Sequence, residues 1–401
     1  MIASFETTCC IVGGGPAGMM LGYMLARAGV PVTVLEKHPD FNRDFRGDTV
    51  HPSTMEVIYQ LGLLEEFLKL PHQELASVGG RVGGFAFRAV DFSHLPVHNR
   101  FIALMPQWDL LNFVAGRARV FPNFRLCMEH EVTRLLEEQG KIAGVEARTP
   151  EGNVEIRAKL VIGCDGRHST TRQAAGLEVR EFGVPIDVLW FHLQRNSNDP
   201  EQSLGNINYG KILILINRGD YYQAGLIIAK GSFERIQGRG LDAFQRDIAE
   251  IAPYLKDRVS GLQGWDQIKL LSVQINRLRR WHRPGLLCIG DAAHAMSPAG
   301  GVGINLAVQD AVATANLLAG LLREGNVTEA HLEQIERRRT FPTRVIQALQ
   351  VRAHNGMAKI FANPGPAKAP WQLKLALRVP GIRRLVGRIL GMGVRPESVR
   401  A

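Results

Sequence analysis

The 401-residue sequence lacks the features of several common protein classes. No run of about 18 apolar residues occurs and no basic leader precedes an apolar stretch, so we expect neither a membrane span nor secretion. Glycine and proline show no periodic enrichment, which excludes a fibrous protein. The five cysteines form no C-x-x-C pair and no cluster with histidine at zinc spacing. The sequence therefore predicts a cytoplasmic globular protein without a metal site.

Positive charge is in excess, but it is concentrated in one segment. The formal net charge is +10, and the segment from Trp371 to the end contributes +6 through seven basic residues and one acidic residue. The rest of the chain is close to balanced, without a broad basic face interleaved with aromatic residues. Nucleic acid is therefore disfavoured as a partner.

A strand–turn–helix–strand pattern with a glycine-rich turn opens the sequence. An apolar run at 7–12 precedes the turn, a helical pattern covers 16–28 and a second apolar run covers 31–35. The spacing of the glycines permits a sharp turn, close approach of the backbone to a pyrophosphate and close packing of the helix on the strand. The N-terminus of the helix then favours the negative charge of the pyrophosphate. The acid that ends the second run is expected to bind ribose hydroxyls. The simpler alternative is a tight turn whose glycines serve packing only. The residues concerned are Gly13, Gly15, Pro16, Ala17, Gly18, Glu36 and the adjacent Lys37.

Two later segments repeat the order of apolar run, acid and glycine. Residues 160–163 lead into Asp165-Gly166, and residues 286–289 lead into Gly290-Asp291, which could also be a simple helix cap. A glycine loop, 298–303, and a helical stretch to about residue 322 follow. With these motifs in this order, the sequence resembles the FAD-dependent aromatic hydroxylases, single-component flavoprotein monooxygenases typified by para-hydroxybenzoate hydroxylase, over roughly residues 7–350.

The resemblance implies a role for each matching position. The first glycine turn and Glu36 would bind the ADP half of FAD, and Asp291 would hold a ribityl or ribose hydroxyl. Arg46 would lie beside the isoalloxazine, although Arg46 and its charged neighbours could equally form an exposed ion-pair cluster. The other implied cofactor contacts are Gln107 near the ribityl chain and phosphate, Asp165 and Gly166 near the pyrophosphate and NAD(P)H, and Pro298 near the flavin ring. Independently of the family, Gly301 and Gly303 before a helix permit close backbone approach and favour a nearby anion such as reduced flavin, and the following Ile304 and Asn305 are also candidate cofactor contacts.

Two positions depart from the family pattern. Thr171 occupies an apolar position of the Asp-Gly motif, and Val302 replaces a frequent glutamine between two glycines. Neither change removes a backbone geometry that the motif needs. No second dinucleotide fingerprint occurs, since the glycines at 79–84 and 300–303 have the wrong spacing, so NAD(P)H is expected to bind transiently.

The resemblance implies an FAD-dependent monooxygenase that uses NAD(P)H and dioxygen to hydroxylate an aromatic or polyketide-like molecule through a flavin hydroperoxide. A flavin-dependent dehydrogenase or reductase on the same fold remains an alternative, as does a non-enzymatic escort protein that has lost the flavin. A halogenase is disfavoured because no W-x-W-x-I-P segment follows the first motif. Disulfide reductases need a redox cysteine pair that is absent between Cys10 and Cys127. Substrate identity, the choice of NADH or NADPH and the oligomeric state stay open.

We predict an α/β fold with a discontinuous Rossmann-like FAD-binding domain at 1–75, 100–180 and 270–355. A substrate domain at 76–99 and 181–269 is expected to hold an antiparallel sheet, with strands at 186–193, 211–217 and 221–229 and a helix at 233–255. Residues 356–401 form a basic helical tail. Leucines and basic residues alternate there, as on a helix lying on an anionic membrane. The Pro380-Gly381 break instead favours a helical cap on the protein itself.

One predicted strand offers candidate substrate contacts. Alternation along 187–194 places Trp190, His192 and Gln194 on one face of the sheet and apolar residues on the other. The first face has what a pocket needs to hold a flat ring and one polar group. His192 is a candidate base for a phenol proton, since an ordinary histidine pKa near ~6.5 suits that task. The alternative is a solvent-exposed face.

Overall fold

The computed structural model describes residues 3–42, 49–199 and 205–400. Its helices are α1 (Pro16–Arg27), α2 (Pro52–Gln60), α3 (Leu64–Phe67), α4 (Gln107–Ala118), α5 (Thr170–Ala174), α6 (Phe233–Gly238), α7 (Leu241–Ile251), α8 (Gly303–Glu324), α9 (Glu329–Phe361), α10 (Trp371–Arg378) and α11 (Pro380–Met392). Its strands are β1 (Ala3–Val12), β2 (Val32–Leu35), β3 (Thr49–Val50), β4 (Gln73–Leu75), β5 (Ser77–Val82), β6 (Phe85–Asp91), β7 (Ile102–Leu104), β8 (Phe124–Cys127), β9 (Glu131–Glu138), β10 (Lys141–Thr149), β11 (Gly152–Gly163), β12 (Val179–Phe182), β13 (Ile186–Gln194), β14 (Asn206–Asn208), β15 (Lys211–Asn217), β16 (Tyr221–Ala229), β17 (Lys269–Leu271), β18 (Ile275–Leu278), β19 (His282–Arg283) and β20 (Leu286–Cys288).

A largely parallel sheet carries the predicted cofactor motifs. Its strand order is β19-β20-β11-β1-β2-β8, with β10 and β9 added to β11. The β1, β2, β8, β11 and β20 neighbours run parallel, and Cys9–Val12 is buried on both faces, as the continuous apolar run predicts. Because the carboxyl ends of parallel strands meet at one edge, the loops that follow β1, β2, β11 and β20 lie together.

The core of this region lies between the parallel sheet and its helices. Buried side chains of α1, α4 and α8 form one continuous apolar cluster with β1 and β2. The segment Ala299–Glu324, which contains α8, is long and apolar enough to cross a membrane, but 83% of its most apolar window is buried within the protein. Helix α8 is therefore a central core helix.

A seven-stranded sheet forms the second layer, in the order β17-β13-β16-β15-β14-β5-β6. Strand β13 is antiparallel to β16, with Trp190 opposite Gly225. The face with Leu189, Phe191 and Leu193 packs on α7. The opposite face, with Val188 and Trp190, packs with residues of α9 and α11. We call this opposite face the inner face of the sheet.

The strands predicted at 186–193, 211–217 and 221–229 are confirmed as β13, β15 and β16. The single helix predicted over 233–255 is wrong. The chain forms α6 and α7 instead, because Gly240 adopts φ +85°, which ends one helix before the next begins. The apolar pattern continues across this break, so periodicity alone did not reveal it.

The C-terminal segment packs on the protein itself. Gly387 and Gly391 bring α11 against the end of β6, since a Cβ on Gly387 would lie 2.1 Å from the Asp91 carbonyl oxygen. The final residues bond to the core helices: Arg338 donates two hydrogen bonds to Glu397, at 2.7 and 2.6 Å, and the Val399 amide donates to Gln60 at 2.8 Å. The predicted helical cap is therefore present, as two helices separated at Val379, with Pro380 as the first residue of the second helix.

Candidate active site

The first glycine turn is closely packed on one side and open on the other. A Cβ on Gly13 would lie 2.4 Å from the Cys164 carbonyl oxygen, and one on Gly18 would lie 2.0 Å from the Gly13 carbonyl oxygen. A Cβ on Gly15 would meet nothing within 4 Å. Gly15 is also the N-cap of α1, which starts at Pro16 and so leaves its first N–H groups free for a ligand. Packing therefore requires Gly13 and Gly18, whereas Gly15 borders open space that suits a pyrophosphate.

Glu36 ends β2 beside this turn. Its carboxylate accepts hydrogen bonds from the Gly14 amide at 3.0 Å and from the His38 amide at 3.1 Å. The two backbone donors fix the carboxylate beside the N-terminus of α1. This arrangement suits the predicted contact with ribose hydroxyls. The adjacent Lys37 is exposed.

Asp165 is held by the helix that follows it. Its carboxylate accepts hydrogen bonds from the Ser169 hydroxyl at 2.6 Å, the Thr171 hydroxyl at 2.8 Å and the Thr171 amide at 2.9 Å. The Thr171 departure from the family pattern thus supplies one more donor to this carboxylate. Asp165 shapes the loop, and Gly166, at φ +82°, follows with nothing within 4 Å of a Cβ position.

The two acid motifs lie next to each other. Arg172 donates a hydrogen bond to the Ala292 carbonyl oxygen at 3.3 Å, and the Arg167 guanidinium lies 3.8 Å from the Asp291 carboxylate. Asp291 lies in a 3-10 turn, Gly290–Ala292, and its side chain is 34% exposed. Its carboxylate is therefore accessible to a ligand hydroxyl.

A buried charged cluster contacts the Asp291 turn. The Asp310 carboxylate on α8 lies 2.5 Å from His294 Nε2 and accepts hydrogen bonds from the Gly290 amide at 3.0 Å and Arg339 Nε at 2.7 Å. His294, Asp310 and Arg339 are each at most 1% exposed. Burial raises the pKa of Asp310, but the charges and hydrogen bonds of His294 and Arg339 outweigh burial and keep that pKa below its usual value. A buried carboxylate therefore anchors the turn.

The loop after Pro298 reaches the N-terminus of α8. Gly301 adopts φ +64°, and a Cβ there would lie 2.2 Å from the Thr49 hydroxyl, so only glycine fits. Gly303 begins α8 and has nothing within 4 Å of a Cβ position. Like Gly15, it is a helix start that borders open space. Val302, the second departure from the family pattern, is buried in an apolar cluster with Met296.

Ile304 and Asn305 face the protein. Ile304 is 6% exposed, and the Asn305 side-chain oxygen accepts hydrogen bonds from Ser53 and Thr54 of α2. Any contact of these two residues with a cofactor would therefore come from their backbone N–H groups at the start of α8. Gln107 is the first residue of α4, as predicted for a glutamine that opens a helix. Arg46 lies outside the described residues.

Sequence reasoning missed the helix that holds the Pro298 loop. Gln350 on α9 donates hydrogen bonds to the Ser297 and Ala299 carbonyl oxygens, both at 3.0 Å, and accepts one from the Ser297 amide at 3.1 Å. One turn further on, His354 Nε2 lies 2.9 Å from the Ser297 hydroxyl. Burial lowers the pKa of His354. The sequence feature that could have indicated this contact is the i, i+4 spacing of Gln350 and His354, which places both polar side chains on one face of the helix.

The two candidate substrate residues on β13 have different surroundings. Trp190 is 8% exposed, lies on the inner face of the sheet and covers Gly225, where a Cβ would lie 2.9 Å from its ring. The Trp190 indole nitrogen is buried without a hydrogen-bond partner in the described part of the chain. His192 is exposed and forms an edge-to-face ring contact with Tyr221 at 4.8 Å. The role of His192 as a base stays a prediction.

We expect Asp291→Ala to weaken FAD binding by about 10- to 100-fold, since it removes a charged hydrogen-bond acceptor worth roughly 1.5–3 kcal/mol. Asp291→Asn keeps the shape and part of the hydrogen bonding and should lose less. Flavin fluorescence during titration of the apoprotein measures both affinities. Unchanged affinity in Asp291→Ala would remove Asp291 from the cofactor site.

Comparisons with known proteins agree with these motifs. Residues 6–349 match the family model described as FAD binding domain. The 6-methylpretetramide 4-monooxygenase of Streptomyces rimosus is 31% identical over 389 residues, which cover 96% of this chain and 92% of that protein. The para-nitrophenol 4-monooxygenase of Pseudomonas sp. strain WBC-3 is 26% identical over 343 residues, or 82% of each protein.

Solved structures show the same fold. The OxyS anhydrotetracycline hydroxylase from Streptomyces rimosus has a TM-score of 0.78 at 22% identity, covering 99% of this chain and 78% of that chain. The open positions at Gly15 and Gly303 and the accessible Asp291 carboxylate fit FAD. The family match over most of the chain, joined to these site residues, shows that the chain belongs to the FAD-dependent aromatic hydroxylases and is an FAD-dependent monooxygenase.

Proposed function

We propose that this monooxygenase hydroxylates a fused-ring phenolic molecule of the aromatic polyketide type, in the cytoplasm and with NAD(P)H as reductant. The observation that carries the proposal is the inner face of the sheet, where Trp190 lies among apolar side chains with its N–H unpaired in the described part of the chain. Such a face suits a flat, extended ring system with an oxygen acceptor at its edge. The name of the 31% identical relative, 6-methylpretetramide 4-monooxygenase, supports this substrate class.

The residues of the chain would divide the work with the cofactor. When bound, FAD takes electrons from NAD(P)H and supplies activated oxygen to the substrate. The N-termini of α1 and α8 would stabilise the negative charges of the pyrophosphate and of the reduced ring, each by about 0.3–2 kcal/mol. Gln350 and His354 would hold the Pro298 loop in place against the ring, and the apolar inner face of the sheet would exclude water.

Trp190 would orient the substrate. Its ring provides a flat surface for stacking, and its N–H would donate a hydrogen bond to a carbonyl or phenol oxygen. We expect Trp190→Phe to keep FAD, to raise KM about tenfold and to increase the hydrogen peroxide released per NAD(P)H consumed, because the substrate loses one hydrogen bond to a buried donor. Steady-state kinetics with a peroxide assay measures both. If KM and coupling are unchanged, Trp190 does not contact the substrate.

His192 is tested separately. If it accepts the phenol proton, His192→Ala should leave FAD binding intact, slow hydroxylation about 10²- to 10⁴-fold and raise peroxide release. The pH profile of kcat should also lose a step. A variant that hydroxylates with unchanged rate and coupling would show that this exposed position lies outside the active site.

A substrate panel tests the proposed class. NADH and NADPH oxidation is followed with single-ring phenols and with fused-ring phenols of two to four rings. We expect fused-ring phenols to stimulate oxidation and to gain one oxygen atom. A dehydrogenase or reductase would instead change only the hydrogen content of its substrate, and an escort protein would purify without flavin absorbance.

A further inference from the structure

The tail carries a surface that its packing on the protein leaves uncovered. We define the tail surface as residues 368–388, which include α10 and the first part of α11. Five large apolar side chains of this segment are between 41% and 69% exposed: Trp371, Leu375, Val379, Ile382 and Leu385. Single exposed apolar residues are ordinary, but a group of five within 15 residues is typical of an interaction site.

The charge of this region has one sign. Residues 368–388 contain six basic residues and no acidic residue, and no aspartate or glutamate occurs anywhere from 337 to 396. One acid of another element interacts with this surface: hydrogen bonds from Ser93 lower the pKa of Asp91 on β6, and the charge of Arg384 lowers that pKa further. The tail surface therefore attracts anions.

The inner side of the same helices is anchored. Val386 and Leu390 pack into the apolar cluster beneath the inner face of the sheet. The Leu390 carbonyl oxygen lies 2.8 Å from His51 Nδ1, and a Cβ on Gly300 would lie 3.2 Å from the Leu390 side chain. Helix α11 is thus fixed against the Pro298 loop on one side, while Ile382 and Leu385 face outward.

From these observations we propose that the tail surface docks the enzyme on an anionic lipid membrane. Exposed tryptophan and aliphatic side chains insert into the boundary between headgroups and acyl chains, and the surrounding lysines and arginines pair with lipid phosphates. Two copies of this surface would repel each other through their like charges, which disfavours self-association. A folded acidic protein would pair with the basic side chains of the tail surface, but its polar surface would then lie against the exposed apolar side chains.

The test is vesicle co-sedimentation of the purified, FAD-loaded full chain. Vesicles of phosphatidylcholine alone are compared with vesicles of phosphatidylcholine and phosphatidylglycerol in equal parts. We expect binding to the anionic vesicles only, weakened by added salt. Trp371→Gln with Leu385→Gln should reduce binding about tenfold, as should Arg378→Gln with Arg388→Gln. The matched control, Val120→Gln with Leu270→Gln, removes two exposed apolar side chains elsewhere and should bind as the parent does.

Flavin absorbance shows that each variant has kept its fold. Because the binding assay uses no substrate, its outcome does not depend on the proposed hydroxylation. Absence of binding to anionic vesicles overturns the proposal, as does binding that both tail variants retain. The parent protein could instead fail to bind vesicles and form a dimer in sedimentation velocity that Trp371→Gln with Leu385→Gln abolishes. That result would assign the surface to a second copy of the chain. Binding to polyglutamate without vesicle binding would assign it to an acidic protein.

Discussion

Replacing Gly15 with valine should yield a folded protein that purifies without FAD. The Gly15 backbone is extended, at φ −75° and ψ −175°, which valine adopts readily, and a Cβ there meets no protein atom within 4 Å. The added side chain therefore occupies only the space expected for the pyrophosphate. We expect at least about a 100-fold loss of FAD affinity, which corresponds to roughly 2.7 kcal/mol.

The ratio of flavin absorbance to protein absorbance after purification measures this loss, and circular dichroism checks the fold. Gly116→Val is the matched control. Gly116 also has nothing within 4 Å of a Cβ position, but it is exposed on α4. The control should keep FAD at one equivalent. Stoichiometric FAD in Gly15→Val would show that the cofactor does not pass over this turn.

Removal of the Asp310 carboxylate should have the largest effect on stability. Asp310→Ala leaves His294 buried without its acidic partner and leaves Arg339 with only Glu397, 3.4 Å away. Breaking a buried ion pair from one side costs about 3–5 kcal/mol. Urea unfolding followed by circular dichroism measures the loss. Asp220→Ala, at an exposed turn, is the control and should change stability by less than about 0.5 kcal/mol.

The same residue predicts an acid dependence of stability. The Asp310 pKa is lower in the folded protein than in the unfolded chain, where it is about 4. The Asp310 charge therefore contributes its full stabilisation above the unfolded pKa, and this stabilisation is lost as pH falls through the lower folded pKa. Asp310→Asn should therefore reduce the difference in stability between neutral pH and the pH range below about 4. An acid dependence identical to that of the parent protein would mean that Asp310 is not charged in the folded state.

Local sequence motifs made the positions of many candidate cofactor-binding residues predictable. The glycine turn, Glu36 and the helix that Gln107 opens each depend on residues close in sequence, and each lies where the spacing predicts. The strand order, which was not predicted from the sequence, brings the turns at 13–18, 165–166 and 290–291 to one edge of the sheet. The predicted roles of these residues toward FAD remain for the variants above to test.

The contacts that support the loops were not predictable, because they join residues far apart in sequence. Asp310 reaches back 20 positions to Gly290, and Gln350 reaches 53 positions to Ser297. Glu397 of the tail pairs with Arg338 across 59 positions. Nothing in the local pattern of these residues specifies such partners. The Thr171 hydroxyl, which departs from the family pattern, donates a hydrogen bond to Asp165 that the sequence pattern also does not specify.

The most direct test of the central claim is hydroxylation under isotopically labelled dioxygen. The purified enzyme is mixed with NAD(P)H and a fused-ring phenol, and the product is analysed by mass spectrometry. We predict a product that carries one labelled oxygen atom for each NAD(P)H consumed in the coupled reaction, with the other oxygen atom released as water. A product that has lost or gained only hydrogen, or one whose added oxygen is unlabelled, would contradict a monooxygenase.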